Sequence, residues 1–190
     1  MSDPKINSTG DVVEYLKAQH ETIRELFTEV LDAAGAETRD QAFTRLRTML
    51  AVHETAEEMV VHPRVRRKVE GGEKIVKERL AEEHDAKVLL RDIEDLPRDS
   101  AEFSKGVIHL QAAVLKHAEA EEQFEFTALE EELDKTELGK LADAVAVAER
   151  IAPTRPHPGI ETAAANFAAG PFASVLDRAR DALSGVSSSS

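Results

Sequence analysis

The chain has no cysteine and no tryptophan, and it has a single tyrosine, Tyr15, among its 190 residues. Without cysteine there is no disulfide framework, no thiolate metal site and no cysteine nucleophile. No apolar run approaches the ~20 residues that span a bilayer. The opening MSDPKINSTGDVVEYL also lacks the basic flank and apolar stretch of a secretory signal. These absences argue against a membrane role and make the cytoplasm the expected compartment. Cations are scarce too, with 24 Lys and Arg against 37 Asp and Glu, a net charge of -13. Phosphate backbones are gripped by clustered Lys and Arg, so nucleic acid is not an expected partner. Alternating runs of β-branched residues are missing, which removes the signal for a sheet.

What is present is helical. Hydrophobic residues make up 42% of the chain and charged residues 32%, the profile of a helix-rich globular protein. The breakers divide it. Asp11 is an expected N-cap for a helix running to about Ala34, and GAETRD separates this from a second helix, about Asp40 to Lys68. Glycines 71 and 72 end that helix, and a third runs from about Glu73 to Asp95. LPRDS then leads into a fourth, capped by Ser100 and ending near Asp134. The expected fold is all-α, an up-and-down four-helix bundle over 11–134. One further helix follows over 135–152, then a proline-containing helical extension over 153–186 and a disordered tail over 187–190. The extension carries an amphipathic stretch, Phe172 to Leu183, expected to dock on the bundle as a lid or to bind a partner.

The apolar stripes of these helices contain residues that do not belong in a core. At the helical period the seam runs through Leu16, His20 and Ile23 in the first helix. In the second it runs through Leu50, His53, Glu57, Val60 and Arg64. In the third it takes Leu80, His84 and Val88, and in the fourth Val114, His117, Glu121, Phe124 and Ala128. A lone histidine in such a seam is usually a core residue satisfied by one hydrogen bond. Four histidines with two glutamates need a common cause, because burying carboxylates costs several kcal/mol unless positive charge meets them. The seam supplies almost no Lys or Arg. A metal supplies charge and satisfies the imidazoles together. His53 and Glu57, like His117 and Glu121, are four residues apart and point the same way. Four imidazoles and two carboxylates suit two metals with both glutamates bridging, and nitrogen and oxygen donors without sulfur favour iron over manganese or zinc. Glu54, next to His53, is a further candidate ligand, weighed against a supporting carboxylate. His62 precedes Pro63, which is expected to kink the second helix. The acidic run EELD at 131–134 is expected to be a solvated face.

The order His20, His53-x-x-x-Glu57, His84, His117-x-x-x-Glu121 resembles the hemerythrin-like, or HHE cation-binding, family over about residues 11–134. The tail PTRPHPG…ANFAAGPF…LDRARDAL is similar to the extension of actinobacterial members. The resemblance implies a non-haem diiron centre, with His20 and His53 on one iron, His84 and His117 on the other, and Glu57 and Glu121 bridging. Oxygen-carrying members have a fifth histidine on the third helix, where this chain has Leu80 and Val88, and an aspartate one residue beyond the position of Glu121. These departures point away from reversible oxygen carriage. The expectation is a monomer that binds or turns over O2, hydrogen peroxide or nitric oxide, as an oxidoreductase fed by a redox donor. The alternative is an iron, oxygen or redox sensor acting through a protein partner.

Overall fold

Asp11 starts the first helix by accepting hydrogen bonds from the backbone N–H groups of Val13 and Glu14, both at 3.0 Å. The computed structural model describes residues 10–150 and 152. Helix α1 (Val12–Asp32) turns at Gly35, whose φ of 89° suits glycine, into α2 (Ala36–Ala56). A five-residue π-turn (Glu57–Val61) leads without a break into α3 (His62–Lys68), so one long helix covers 36–68. Gly71, at φ 73°, precedes α4 (Gly72–Glu94). Helix α5 (Ala101–Ala120) begins at Ser100, whose Oγ accepts from the Phe103 N–H at 3.1 Å. A second π-turn (Glu121–Glu125) runs into α6 (Phe126–Glu132). Helix α7 (Lys135–Glu149) opens on a capping box between Asp134 and Glu137. No strand occurs among the described residues, and none of their helices is long and apolar enough to cross a membrane. The amphipathic stretch 172–183 and the rest of the C-terminal extension lie outside the described residues.

These elements form the expected helical bundle, with α4 on α5, α1 on α2, and α7 against α1, α2 and the first π-turn. The core is split. One apolar cluster gathers Leu16, Val60, Val65, Phe126, Leu129 and the inner face of α7. The other gathers Ile23, Phe27, Phe43, Leu46, Phe103 and Leu110. Along the helices most buried polar residues fall between the two, while Glu57 and His62 are interleaved with residues of the first.

The π-turns correct the expected seam. An extra residue in a helical turn rotates everything after it by about 100°. In the fourth helix the buried line therefore passes to Glu125, Phe126 and Leu129, and Phe124 is 54% exposed. In the second helix it passes from Val60 to Val61, His62 and Val65 instead of Arg64. Pro63 is not the general cause, because the equivalent place after the second π-turn is Thr127. There the Thr127 hydroxyl donates to the Glu122 carbonyl at 3.2 Å. Helix α4 also differs: its buried line is Arg79, Glu83, Ala86, Leu90 and Ile93, one residue before the expected one, while Leu80, His84 and Val88 are half-buried.

Candidate metal centre

Each π-turn opens on a seam glutamate. In the first, the Glu57 carbonyl accepts from the His62 N–H, and in the second the Glu121 carbonyl accepts from the Phe126 N–H, the five-residue reach of a π-turn. The widened turn presents the glutamate directly after a straight α-helical turn that carries its histidine. Ligand atoms of His20, His53, Glu57 and Glu121 all lie within 4.8 Å of one another, and all four residues are buried. His53 Nε2 is 3.3 Å from Glu57 Oε2, and His20 Nε2 is 3.4 Å from Glu121 Oε2. The other oxygen of Glu121, Oε1, is 3.2 Å from His117 Nε2.

The donors suit a cation. His20 Nδ1 lies 2.7 Å from Glu122 Oε1, and His53 Nδ1 lies 2.7 Å from Gln19 Oε1. Both partners are acceptors, so both imidazoles carry their hydrogen on Nδ1 and face inward with the Nε2 lone pair. Those two Nε2 atoms are 3.2 Å apart, a contact that repels unless positive charge is shared between them. His117 Nδ1 likewise meets Glu82 Oε2 at 3.2 Å. Both oxygens of Glu57, both of Glu121, and His117 Nε2 are buried without a well-aligned hydrogen bond, which is costly for polar atoms.

With protein groups alone to balance the charge, protons must do it. Burial and the charge of Glu121 push the Glu57 carboxyl well above the usual range. Burial pushes Glu121 the same way, but the charge of His117 and the close approach of the His117 and His20 rings outweigh it and hold Glu121 well below. Burial lowers His117, and the charge of Glu121 and its contact outweigh that, raising it well above its ordinary value. His53 falls to about 3 through burial and then its neighbour His20. A metal would displace the protons on Glu57 and His117.

Three expected residues lie outside the four-residue group: His117, which still reaches Glu121, and His84 and Glu54. His84 is half-buried and lies outside the four-residue group, and the residue before it, Glu83, is the one turned into the core. Glu54 is buried but its Oε2 faces Lys87 Nζ at 3.4 Å. Burial pushes its carboxyl up to about 7, against the pull of Lys87.

A second buried cluster was not legible in the sequence. His62 is held between Glu125, 2.9 Å from Nδ1, and Glu83, 2.8 Å from Nε2. Burial lowers its pKa, but hydrogen bonds and charge from Glu125 and Glu83 raise it well above its usual value. Glu83 is in turn held at about 2, the His62 contact outweighing burial. Lys87 extends the network, 2.6 Å from Glu58 and 3.4 Å from Glu83. Ligand atoms of His62, Glu83 and Glu121 also come within 4.8 Å of one another. Both His62 nitrogens are engaged by carboxylates, so this group is an imidazolium clamp. The one clue was that His62 and Glu125 fall on the core face once each π-turn is allowed for.

Beside the centre is a small cavity. His20, His53, His117, Glu54 and Glu83 line it, with Ile23, Leu50, Ala86, Val114, Leu115 and Ala118 as the apolar wall. That room is on the scale of a single water molecule.

The family model described as the hemerythrin HHE cation binding domain matches residues 11–150. A hemerythrin-like protein of Schizosaccharomyces pombe is 29% identical over 138 residues, 70% of this chain and 67% of that one. A DNA nickase of Nostoc is 28% identical over 123 residues, 65% of this chain but 34% of the nickase, so the chain spans about a third of that relative. The crystal structure of a hemerythrin HHE cation binding domain-containing protein of Mycobacterium kansasii superposes with a TM-score of 0.66 at 19% identity, covering 89% of this chain and 98% of that one.

Proposed function

Because the chain belongs to the hemerythrin HHE cation binding family, we propose that it is a cytoplasmic non-haem diiron protein that binds or turns over O2, hydrogen peroxide or nitric oxide. The observation that carries this reading is the division of Glu121. It is fully buried, with one oxygen toward His20 and the other toward His117, as a carboxylate shared by two cations must be. In this reading His20 and His53 would hold one iron and His84 and His117 the other, with Glu57 and Glu121 as the carboxylates that would serve both. Iron, when bound, supplies Lewis acidity and electron transfer.

The chain's own residues set the conditions for that chemistry. Glu122, Gln19 and Glu82 keep the hydrogens of His20, His53 and His117 on Nδ1 and so aim Nε2 inward. The apolar cavity wall limits water and admits only small ligands. Glu54, at the cavity wall and facing Lys87, is a group that holds a proton near neutral pH. It supports the site and is not a ligand in this reading. DNA nicking belongs to a relative of which this chain matches a third, and a net charge of -13 disfavours a polyanionic partner.

Metal analysis of the isolated protein, with its absorption spectrum, tests the reading. Two irons per chain are expected, and His53→Ala or His117→Ala should lower occupancy. No bound metal, or one metal insensitive to both substitutions, would remove the diiron reading. The diferrous protein mixed with O2, and the diferric protein mixed with peroxide, then separate reaction from carriage. A stable, fully reversible O2 adduct without peroxide or nitric oxide reactivity restores a carrier.

A further inference from the structure

Glu149, the last residue of α7, reaches back to α1. Its Oε2 accepts from the Tyr15 hydroxyl at 2.6 Å, and its Oε1 accepts from the Gln19 side-chain N–H. Gln19 is buried, and its remaining amide atom, Oε1, accepts from His53 Nδ1 at 2.7 Å. A primary amide has one donor end and one acceptor end, while a carboxylate only accepts. The Gln19 NH2 must therefore face Glu149, its oxygen must face His53, and the His53 hydrogen must sit on Nδ1. Burial and then the hydrogen bond to Glu149 raise the Tyr15 pKa, so the phenol stays a donor.

We propose that Glu149 is a positioning residue: through Gln19 it fixes His53 in the tautomer whose Nε2 faces the cluster as a lone pair. Its consequence for metal rests on reading His53 as a ligand, whereas the relay itself rests on the hydrogen bonds alone. Helix α7 is thereby part of the site, although it contributes none of the converging ligand atoms. The neighbouring His20 and His117 are oriented by direct carboxylate contacts, so His53 alone among these three is set through an amide, whose direction can reverse.

That reversibility supplies the test. In Glu149→Gln, with the Tyr15 hydroxyl donating to the side-chain oxygen as it does to the carboxylate, the new NH2 faces Gln19. Gln19 must then turn over, and His53 must accept at Nδ1 and carry its hydrogen on Nε2, pointing into the cluster. The variant is nearly isosteric. Adding Tyr15→Phe releases the amide at 149 to turn and restores the original direction, and Tyr15→Phe alone leaves the carboxylate and the tautomer unchanged.

The experiment records the His53 15N shifts in the full-length, iron-free protein for the wild type and all three variants, and then titrates each with ferrous iron. Nδ1–H is expected in the wild type and in Tyr15→Phe, and Nε2–H in Glu149→Gln. Ferrous affinity should fall roughly 10- to 100-fold in Glu149→Gln, and the double variant should recover most of it. Retention of Nδ1–H in Glu149→Gln, or a double variant as weak as the single one, overturns the relay. An inverted tautomer in a protein whose wild type takes up no iron upholds the relay and removes the metal reading instead.

Discussion

His20, His53 and Glu57 recur 64 positions later as His84, His117 and Glu121, and both halves place a π-turn directly after the glutamate. Around this shared frame the two halves are built of opposite materials. Before the first histidine stands Gln19 in one half and Glu83 in the other. Closing the π-turn stands Val61 or Glu125, and after it His62 or Phe126. Phe126 stacks on His20, with ring centroids 5.6 Å apart and planes 15° apart. Gln19 serves His53 and Glu122 serves His20, so the surroundings of the first pair are an amide, an aromatic face and a single carboxylate. On the other side Glu83, Glu125, His62 and Lys87 form a charged network. Helix α7 lies on α1, α2 and the first π-turn. The lesson is that backbone duplication sets where ligands stand, while the residues behind them are free to diverge. Two cations bound here would feel different fields.

The largest effect on that contrast should come from breaking the charged side. His62→Gln leaves Glu83 and Glu125 buried without a full countercharge, and should cost about 3–5 kcal/mol in denaturant unfolding of the metal-free chain. The loss should depend on pH. The His62 pKa is raised on folding, so its contribution is complete below the unfolded value of 6.5 and is lost as pH rises through the folded value. Glu83 is lowered from 4.5 to about 2, so its share is complete above 4.5 and is lost as pH falls toward 2. The gap between wild type and His62→Gln should therefore be widest from about pH 4.5 to 6.5, and a gap independent of pH would contradict the clamp. Phe126→Leu, beside His20, removes only packing and the stack on that ring. It should cost about 1–2 kcal/mol with little pH dependence. The smallest effect belongs to Phe124. The unbroken helical period buries it, but the π-turn leaves it outside, so Phe124→Ser should change stability by less than about 0.5 kcal/mol. A loss of several kcal/mol there would mean that the fourth helix is continuous α-helix.

Much of the architecture was legible because it rests on local chemistry. Asp11 and Ser100 cap the helices they were expected to cap. The seam of the fourth helix is buried from Val114 through His117 to Glu121 as its period requires. His20, His53, Glu57 and Glu121 converge as their spacing implies. What escaped was nonlocal or phase-dependent. A π-turn has no composition of its own, so the one-residue slip that buries His62 and Glu125 could not be read. Helix α4 is rich in charge on every side, and its weak apolar pattern allowed two phases. The pairing of Glu83 with His62, 21 residues away, accompanies the one the structure adopts. Asp134 was readable: Asp-x-x-Glu is the pattern of a capping box, but the run it ends looked like a solvated face.

The link from Glu149 to His53 also has a timetable. Ninety-six residues separate them, and at ribosomal speeds of roughly 5–20 residues per second that is about 5–20 s of synthesis. By the end of that interval every candidate ligand from His20 to Glu121 has been made, and 28 residues separate the last of them from the group that sets the proton on His53. In the proposed relay the His53 tautomer is thus fixed only once α7 is complete, and a message truncated before codon 149 yields a protein with all the candidate ligands and no fixed His53 tautomer.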